Sequence, residues 1–204
     1  MSNRTVIVDN NTWNNTHIAQ VGKVLISDEE EGHKLATELG ANYILVNFGG
    51  YAKYSNDDYA KFLWFVRIAK TVFPYVEERD YYKDGGFNVD AVSETMANCL
   101  TYKMLFYRFG EVLIYNNYPK GWDRARDKEI EVKDISFTKF REVYTSKNWL
   151  IRVYEVLKPE NRERAFDEEW DRRLSGESDP EYAYETGLSS SGGNDYGFAW
   201  NPTL

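Results

Sequence analysis

The sequence lacks a disulfide pair, a long apolar run and the basic charge that a nucleic-acid partner would require. Cys99 is the only cysteine in the 204 residues, so no disulfide can form within the chain, and its helical surroundings predict a buried, inert thiol. No run of about 18 apolar residues occurs without charge, and Met1-Ser-Asn-Arg opens no signal peptide, so the chain as written predicts a cytosolic protein without a membrane span. The formal net charge of -8 argues against a phosphate backbone as partner, so no nucleic acid is expected.

Apolar residues are nevertheless plentiful. Hydrophobic residues make up 42% of the chain and aromatic residues 16%, which is enough for the core of one domain. Beyond Lys158 aliphatic residues become sparse, and a charged stretch leads into Ser189-Ser-Ser-Gly-Gly. We therefore expect a folded domain over residues 1–157 and an acidic, disordered tail over residues 158–204.

Three short apolar runs predict the strands of a small sheet. They are Thr5-Val-Ile-Val, Tyr43-Ile-Leu-Val and the run from Trp149 to Val156, each typical of a buried strand. Helical patterns separate the first two runs, so a right-handed crossover should place these strands parallel. The predicted fold class is α/β, with a small, mostly parallel or mixed sheet (strands near 5–8, 43–48 and 149–156) flanked by helices. Residues 137–143 are predicted to form a short helix.

Capping residues predict where the other helices begin and end. A helical pattern over residues 18–25 is followed by Ser27 and Glu30, which form a capping box for a second helix that Gly40 should end. Ser93 is expected to cap a further helix that continues to residue 109.

The stretch from Ser55 to Ile68 predicts the helix on which a site would lie. Ser55 and Asp58 have the spacing of a capping box, so the helix should begin there. With a period of 3.6 residues, Asp58, Lys61 and Phe65 then fall on one edge. This edge follows Gly49-Gly50, just past a strand end, where α/β sheets bind ligands. The alternative is purely structural, with a capping Asp58, a weak ion pair to Lys61 and a core Phe65.

Three acceptor triplets for N-glycosylation lie near the start of the chain. Asn3, Asn10 and Asn14 each begin an Asn-x-Thr triplet without proline in the middle. They favour exposure to the secretory pathway and argue against the interpretation as a cytosolic protein. The alternative is a polar turn in which the triplets occur by chance.

Several long blocks resemble one protein family. They are Asn3-Arg-Thr, Asp9-Asn-Asn-Thr-Trp-Asn-Asn-Thr-His-Ile-Ala19, Tyr43-Ile-Leu-Val-x-Phe-Gly-Gly50, Asp57-Asp-x-x-Lys-Phe-Leu-Trp-x-Val-Arg-Ile68 and Trp149-Leu-Ile-Arg-Val-Tyr154. Together they are similar to the carboxyl-terminal lumenal domain of the catalytic subunit of eukaryotic oligosaccharyltransferase. The resemblance covers residues 1 to about 157.

The resemblance implies a glycosyltransferase of the endoplasmic reticulum membrane, with this domain in the lumen. Such an enzyme transfers an oligosaccharide from dolichyl diphosphate to Asn in an Asn-x-Ser/Thr acceptor polypeptide, usually beside other subunits. Asp58, Lys61 and Phe65 match the family's Asp-x-x-Lys-x-x-x-Met/Ile motif, which helps recognise the hydroxyl residue of the acceptor. Phe65 departs from the expected Met or Ile. The resemblance also places glycans on Asn3, Asn10 and Asn14, the last of which would help hold neighbouring subunits.

Other parts of the family pattern are absent from the chain. The Trp-Trp-Asp-Tyr-Gly motif would precede Met1, which would then be an internal methionine, and the carboxylates that hold Mn or Mg lie in loops between membrane helices. Asp195-Tyr-Gly lacks the paired tryptophans. We therefore expect no catalytic residue and no metal site in these 204 residues, and no transferase activity from them alone. The alternatives are a non-catalytic module that docks partner subunits and a free-standing cytosolic α/β binding domain.

Overall fold

The computed structural model describes residues 5–9, 12–114 and 118–158. Five α-helices are described, α1 (Asn15–Ile26), α2 (Glu29–Glu38), α3 (Asp58–Lys70), α4 (Glu94–Asn98) and α5 (Leu100–Phe106). The described strands are β1 (Tyr43–Asn47), β2 (Trp122–Asp123), β3 (Lys128–Glu129), β4 (Phe140–Thr145) and β5 (Ile151–Val156), and short 3-10 turns cover Glu78–Tyr81 and Phe109–Glu111. The predicted tail, apart from Lys158, lies outside the described residues.

The main sheet has the order β1-β5-β4, and both pairings are antiparallel. β2 and β3 form a separate antiparallel hairpin. One face of the main sheet is buried because alternate residues such as Val46 and Tyr154 point into the core. The predicted α/β class is confirmed, and so are the strands near Tyr43 and Trp149.

Two predictions about the sheet are wrong. Thr5–Val8 forms no strand, and Val6 is 61% exposed, so the parallel crossover with residues 43–46 does not form. An apolar run becomes a strand only where another strand accepts its backbone hydrogen bonds, and β1 takes β5 as its partner instead. The helix predicted over residues 137–143 is wrong because Phe140–Thr145 pairs with β5, and tertiary pairing overrides local propensity there.

Helix boundaries differ from the predicted caps by one or two residues. α2 is capped by Asp28 rather than Ser27, and α3 by Asp57 rather than Ser55. In both cases the adjacent Asp side chain accepts a hydrogen bond from a first-turn amide, which is the interaction that defines the cap. Gly40 follows α2 with a φ of +71°, as predicted for a helix stop.

The helix predicted from Ser93 to residue 109 is interrupted. Ser93 caps α4 as expected, but Cys99 has an extended ψ of 151° and separates α4 from α5. The Cys99 thiol is buried, as predicted, and burial raises its pKa to about 12. A thiol that stays protonated at neutral pH is a poor nucleophile, so Cys99 has a packing role.

Arg152 is fully buried in the core. Arg152 on β5 donates to the carbonyl oxygens of Met104 and Leu105 at 2.8 and 2.7 Å, and to the carboxylate of Glu142 at 3.1 Å. These carbonyls belong to the last turn of α5, where backbone acceptors lack partners within the helix. Arg152 therefore joins the sheet to the end of α5.

Candidate functional site

The candidate site begins where α3 starts, beside the end of β1. Asp57 caps α3 by accepting from the Ala60 amide at 3.1 Å, and its other oxygen accepts from the Gly49 amide at 2.8 Å. The Asp57 side chain is fully buried. One carboxylate thus fixes the start of the helix against the loop that leaves the strand.

The charge of Asp57 is balanced from the β2–β3 hairpin. Arg126 donates through both terminal nitrogens to Asp57, and its Nη1 lies 2.9 Å from both Asp57 Oδ2 and Asp123 Oδ2. Arg126 also lies over the Tyr59 ring, 4.8 Å from its centroid. Burial raises the pKa of Asp123, although Arg126 opposes this shift. Two buried carboxylates around one guanidinium connect the hairpin to α3, and we call Asp57, Asp123 and Arg126 the buried cluster.

Glycine is required twice in the loop between β1 and α3. A Cβ on Gly49 would lie 1.6 Å from the Tyr54 carbonyl oxygen, and one on Gly50 would lie 2.3 Å from the Phe48 ring and 3.0 Å from Asp123. The backbone approaches its surroundings too closely for any side chain. Gly49-Gly50 therefore lets the loop fold against the buried cluster.

Asp58 lies on the outer side of this junction. Its Oδ2 accepts from the Asn47 amide at 2.8 Å, at the last residue of β1. The side chain is half-buried, and burial raises the pKa of Asp58 even though the Asn47 hydrogen bond and the nearby Lys61 charge oppose the shift. The carboxylate is thus held in place at the end of the strand.

Lys61 and Phe65 follow Asp58 along α3. Lys61 is half-exposed, and within the described part of the chain no carboxylate oxygen lies within 4.0 Å of its ammonium nitrogen. Phe65 is partly buried and packs against the core, and a Cβ on Gly22 of α1 would lie 3.0 Å from the Phe65 carbonyl oxygen. The helix carries all three predicted residues on one edge, from the end of β1 to the contact with α1. That they recognise a ligand remains a prediction.

Among the predicted glycosylation sites, only Asn14 is described, since Asn3 and Asn10 lie outside the described residues. Asn14 is exposed and caps α1, with Oδ1 accepting from the amides of Thr16 and His17 at 3.1 and 3.2 Å. A glycan on Nδ2 would leave this oxygen in place, so the cap and the modification are chemically compatible.

The described residues offer no place for the divalent metal that the resemblance implies. In residues 5–9, 12–114 and 118–158, no group of three or more His, Cys, Asp or Glu side chains could hold a metal ion. Asp57 and Asp123 have Arg126 between them, and a cation there would repel the guanidinium. No helix within these ranges is long and apolar enough to cross a membrane.

Sequence reasoning missed the buried cluster. The spacing of Ser55 and Asp58 predicts a cap at Ser55, whereas the first of the two successive aspartates, Asp57, is the cap in the structure. Arg126 lies among the charged residues Asp123, Arg124, Asp127 and Lys128, and no periodic apolar pattern marks this stretch. Its pairing with Asp57 joins residues 69 positions apart, and no local pattern indicates a contact of that range.

The chain was compared with known proteins. No protein-family model matches it. It is 52% identical over 163 residues to dolichyl-diphosphooligosaccharide–protein glycosyltransferase subunit STT3B of Arabidopsis thaliana, covering 79% of this chain and 22% of that protein. It is 48% identical over 165 residues to subunit STT3A of Oryza sativa subsp. japonica, covering 80% and 20%, and 49% identical over 172 residues to subunit stt-3 of Caenorhabditis elegans, covering 83% and 23%.

The chain thus spans about a fifth of the length of these curated relatives. The matched residues make up about four fifths of the chain, and about half of them are identical. Identity of this extent, over well above a hundred residues, reflects common descent. The chain therefore belongs to the family of STT3 subunits of dolichyl-diphosphooligosaccharide–protein glycosyltransferase.

Proposed function

We propose that this domain recognises the acceptor polypeptide within a larger oligosaccharyltransferase. The complete protein would transfer an oligosaccharide from dolichyl diphosphate to the Asn side chain of Asn-x-Ser/Thr, in the lumen of the endoplasmic reticulum. The single observation that carries the proposal is the edge of α3, where Asp58 is held by the Asn47 amide and Lys61 has no ion-pair partner among the described residues. The transfer chemistry, and any metal it uses, would come from residues outside this chain.

Each residue of the edge has a role that its chemistry permits. The Lys61 ammonium can donate hydrogen bonds to the hydroxyl or backbone carbonyl of the acceptor Ser or Thr. Asp58 can orient this ammonium, since the two charges interact electrostatically. Phe65 offers an apolar surface to the methyl group that distinguishes Thr from Ser. The buried cluster lies at the start of α3 and holds this end of the helix in place, which fixes the positions of the three residues on its edge.

The test uses the full-length enzyme with Asn-x-Thr and Asn-x-Ser peptides. Lys61→Ala should lower kcat/KM about ten- to a hundredfold, because a hydrogen bond from a charged group contributes about 1.5–3 kcal/mol. Lys70→Ala is the matched control, since Lys70 lies on the same helix but pairs with Glu77 at 2.9 Å. Equal efficiency of the Lys61→Ala and Lys70→Ala enzymes would contradict the proposal.

A second candidate function is docking of partner subunits through a glycan on Asn14. It is favoured by the exposure of Asn14 at the start of α1, beside Trp13, which is 88% exposed. Thr16→Ala removes the acceptor triplet and leaves Asn14 as the cap, so it separates the glycan from the fold. If docking is the main task, Thr16→Ala should release partner subunits on affinity purification, whereas Lys61→Ala should leave peptide affinity unchanged.

A further inference from the structure

Trp64 is a large apolar side chain that α3 leaves in solvent. It is 62% exposed, whereas the other aromatic residues of this helix, such as Phe62 and Phe65, are buried or partly buried. Isolated exposed apolar residues are common on protein surfaces and indicate nothing by themselves. The neighbours of Trp64 therefore decide whether this ring has a role.

A series of polar contacts holds the Trp64 ring in place. The guanidinium carbon of Arg67 lies over the ring, 6.0 Å from its centroid. Arg67 donates to Glu78 through Nε and Nη2 at 2.7 and 2.9 Å, and the Tyr82 hydroxyl donates to the same carboxylate at 2.7 Å. A pair with two parallel hydrogen bonds has a defined geometry, so Arg67 limits the positions that the indole can adopt. A ring that is already ordered loses little conformational freedom when it binds a ligand.

Trp64 also lies beside Lys61, the residue proposed above to hold the Ser or Thr of the acceptor. Residues three apart on a helix are neighbours, with about 5–6 Å between their Cβ atoms. In an extended peptide, alternate side chains face the same surface and are about 6.6–6.8 Å apart along the chain. The two spacings nearly match. A peptide that runs along α3 with its hydroxyl residue at Lys61 therefore brings the side chain two places away next to Trp64.

We propose that Trp64 binds the acceptor side chain two places after the hydroxyl residue and favours an aromatic or large aliphatic group there. The inference rests on the proposed function, because Lys61 sets the position of the peptide. Towards β1 the edge ends at Asp58, which is half-buried and accepts from the Asn47 amide, so a bound peptide has room to continue only towards Trp64. The acceptor Asn precedes the hydroxyl residue and must reach a reacting centre outside this chain. The part of the peptide that stays over α3 is then the part after the hydroxyl residue.

The surroundings of the ring favour an apolar side chain over an acidic one. Glu78 already binds two nitrogens of Arg67, so an acidic side chain of the peptide would meet a guanidinium whose charge is balanced. An apolar side chain gains by removing the exposed surface of Trp64 from water. Because the ring is open to solvent and forms no closed pocket, the contact produces a preference among acceptors and excludes none of them.

Three peptides and the full-length enzyme test the proposal. The kcat/KM for Asn-Ala-Thr-Ala-Phe should exceed that for Asn-Ala-Thr-Ala-Ala by about three- to tenfold, because contact between two aromatic rings is favourable. Asn-Ala-Thr-Phe-Ala, with Phe one place earlier, should show no such gain. Trp64→Ala should remove the preference by lowering the value for the first peptide alone, and Trp64→Phe should retain part of it. Tyr144→Ala is the matched control, since Tyr144 is an aromatic residue on β4 that is 53% exposed, and this variant should keep the full preference.

The Lys61→Ala enzyme distinguishes failure of this inference from failure of the proposed function. If Lys61→Ala lowers kcat/KM for all three peptides while the preference for Phe is absent, or survives in Trp64→Ala, acceptor recognition by the edge stands and the role of Trp64 is overturned. If Lys61→Ala has no effect but Trp64→Ala removes the preference, the proposed function fails and the contact with Trp64 stands. An equal loss for all three peptides in Trp64→Ala, with a raised KM for the lipid-linked donor or with release of partner subunits, would assign the ring to those ligands and overturn the inference.

Discussion

Asp57 and Asp58 stand side by side at the start of α3, yet their carboxylates have different surroundings. Asp57 is fully buried, and the Arg126 guanidinium and two backbone amides satisfy its oxygens. Asp58 is half-exposed, accepts from the Asn47 amide and lies close enough to the half-exposed Lys61 to feel its charge. Neutralisation by a buried partner makes Asp57 a structural residue, whereas Asp58 has no ion-pair partner within 4.0 Å among the described residues. Variants of the two sides should therefore affect different measurements.

The largest expected effect comes from breaking the buried cluster. Arg126→Met would leave Asp57 and Asp123 buried without their counter-charge, and removal of one partner from such a group costs about 3–5 kcal/mol. Urea denaturation should show this loss in the free energy of unfolding. Arg79→Met is the control, because the Arg79 side chain is 83% exposed, and it should change stability by less than about 0.5 kcal/mol. Equal stability of the Arg126→Met and Arg79→Met proteins would show that the cluster does not stabilise the junction.

The second largest effect should be a loss of transferase activity when the charge of Asp58 is removed. Asp58→Asn keeps an oxygen for the Asn47 amide but removes the negative charge near Lys61, so kcat/KM of the full-length enzyme should fall about tenfold or more, with the fold intact. Circular dichroism of the variant provides the control for folding. Unchanged kcat/KM would mean that Asp58 serves only to hold the end of β1, and the contrast between the two aspartates would disappear.

Substitutions of Phe65 should have a smaller effect, on the preference of the enzyme for Asn-x-Thr over Asn-x-Ser peptides. Contact with the Thr methyl is worth about 1 kcal/mol, a several-fold preference for Asn-x-Thr over Asn-x-Ser. Phe65→Met should preserve this preference and Phe65→Ala should bring the two peptides towards parity, as measured by the ratio of their kcat/KM values. The same ratio in all three enzymes would indicate that Phe65 only packs against the core.

The smallest effect is a pH dependence of stability. Burial raises the folded-state pKa of Asp58, so the contribution of this group to stability is fully present below the ordinary Asp pKa and is lost as pH rises through the folded pKa. The amide introduced by Asp58→Asn does not titrate, so the stability of this variant relative to the original protein should increase over that pH window and then level off. Urea unfolding at several pH values measures this difference. A relative stability that falls with rising pH would contradict the raised pKa.

Local patterns were sufficient for the elements whose hydrogen bonds and caps come from residues a few positions away. The amphipathic helix over residues 58–70, the stop at Gly40 and the cap at Ser93 follow from residue spacing and capping chemistry. The family resemblance also rested on contiguous blocks. These features depend on residues a few positions apart, so the sequence alone determined them.

Tertiary structure decided the pairings between distant residues. β1 pairs with β5, which lies more than a hundred positions further along the chain. Phe140–Thr145 is a strand because its backbone pairs with β5. Thr5–Val8 has no such pairing and is not a strand. The choice of Asp57 as the cap depends on Arg126, whose guanidinium makes the burial of that carboxylate tolerable. Strand direction and the burial of charge are set by partners that come together only in the folded chain, and for that physical reason the spacing of neighbouring residues could not determine them.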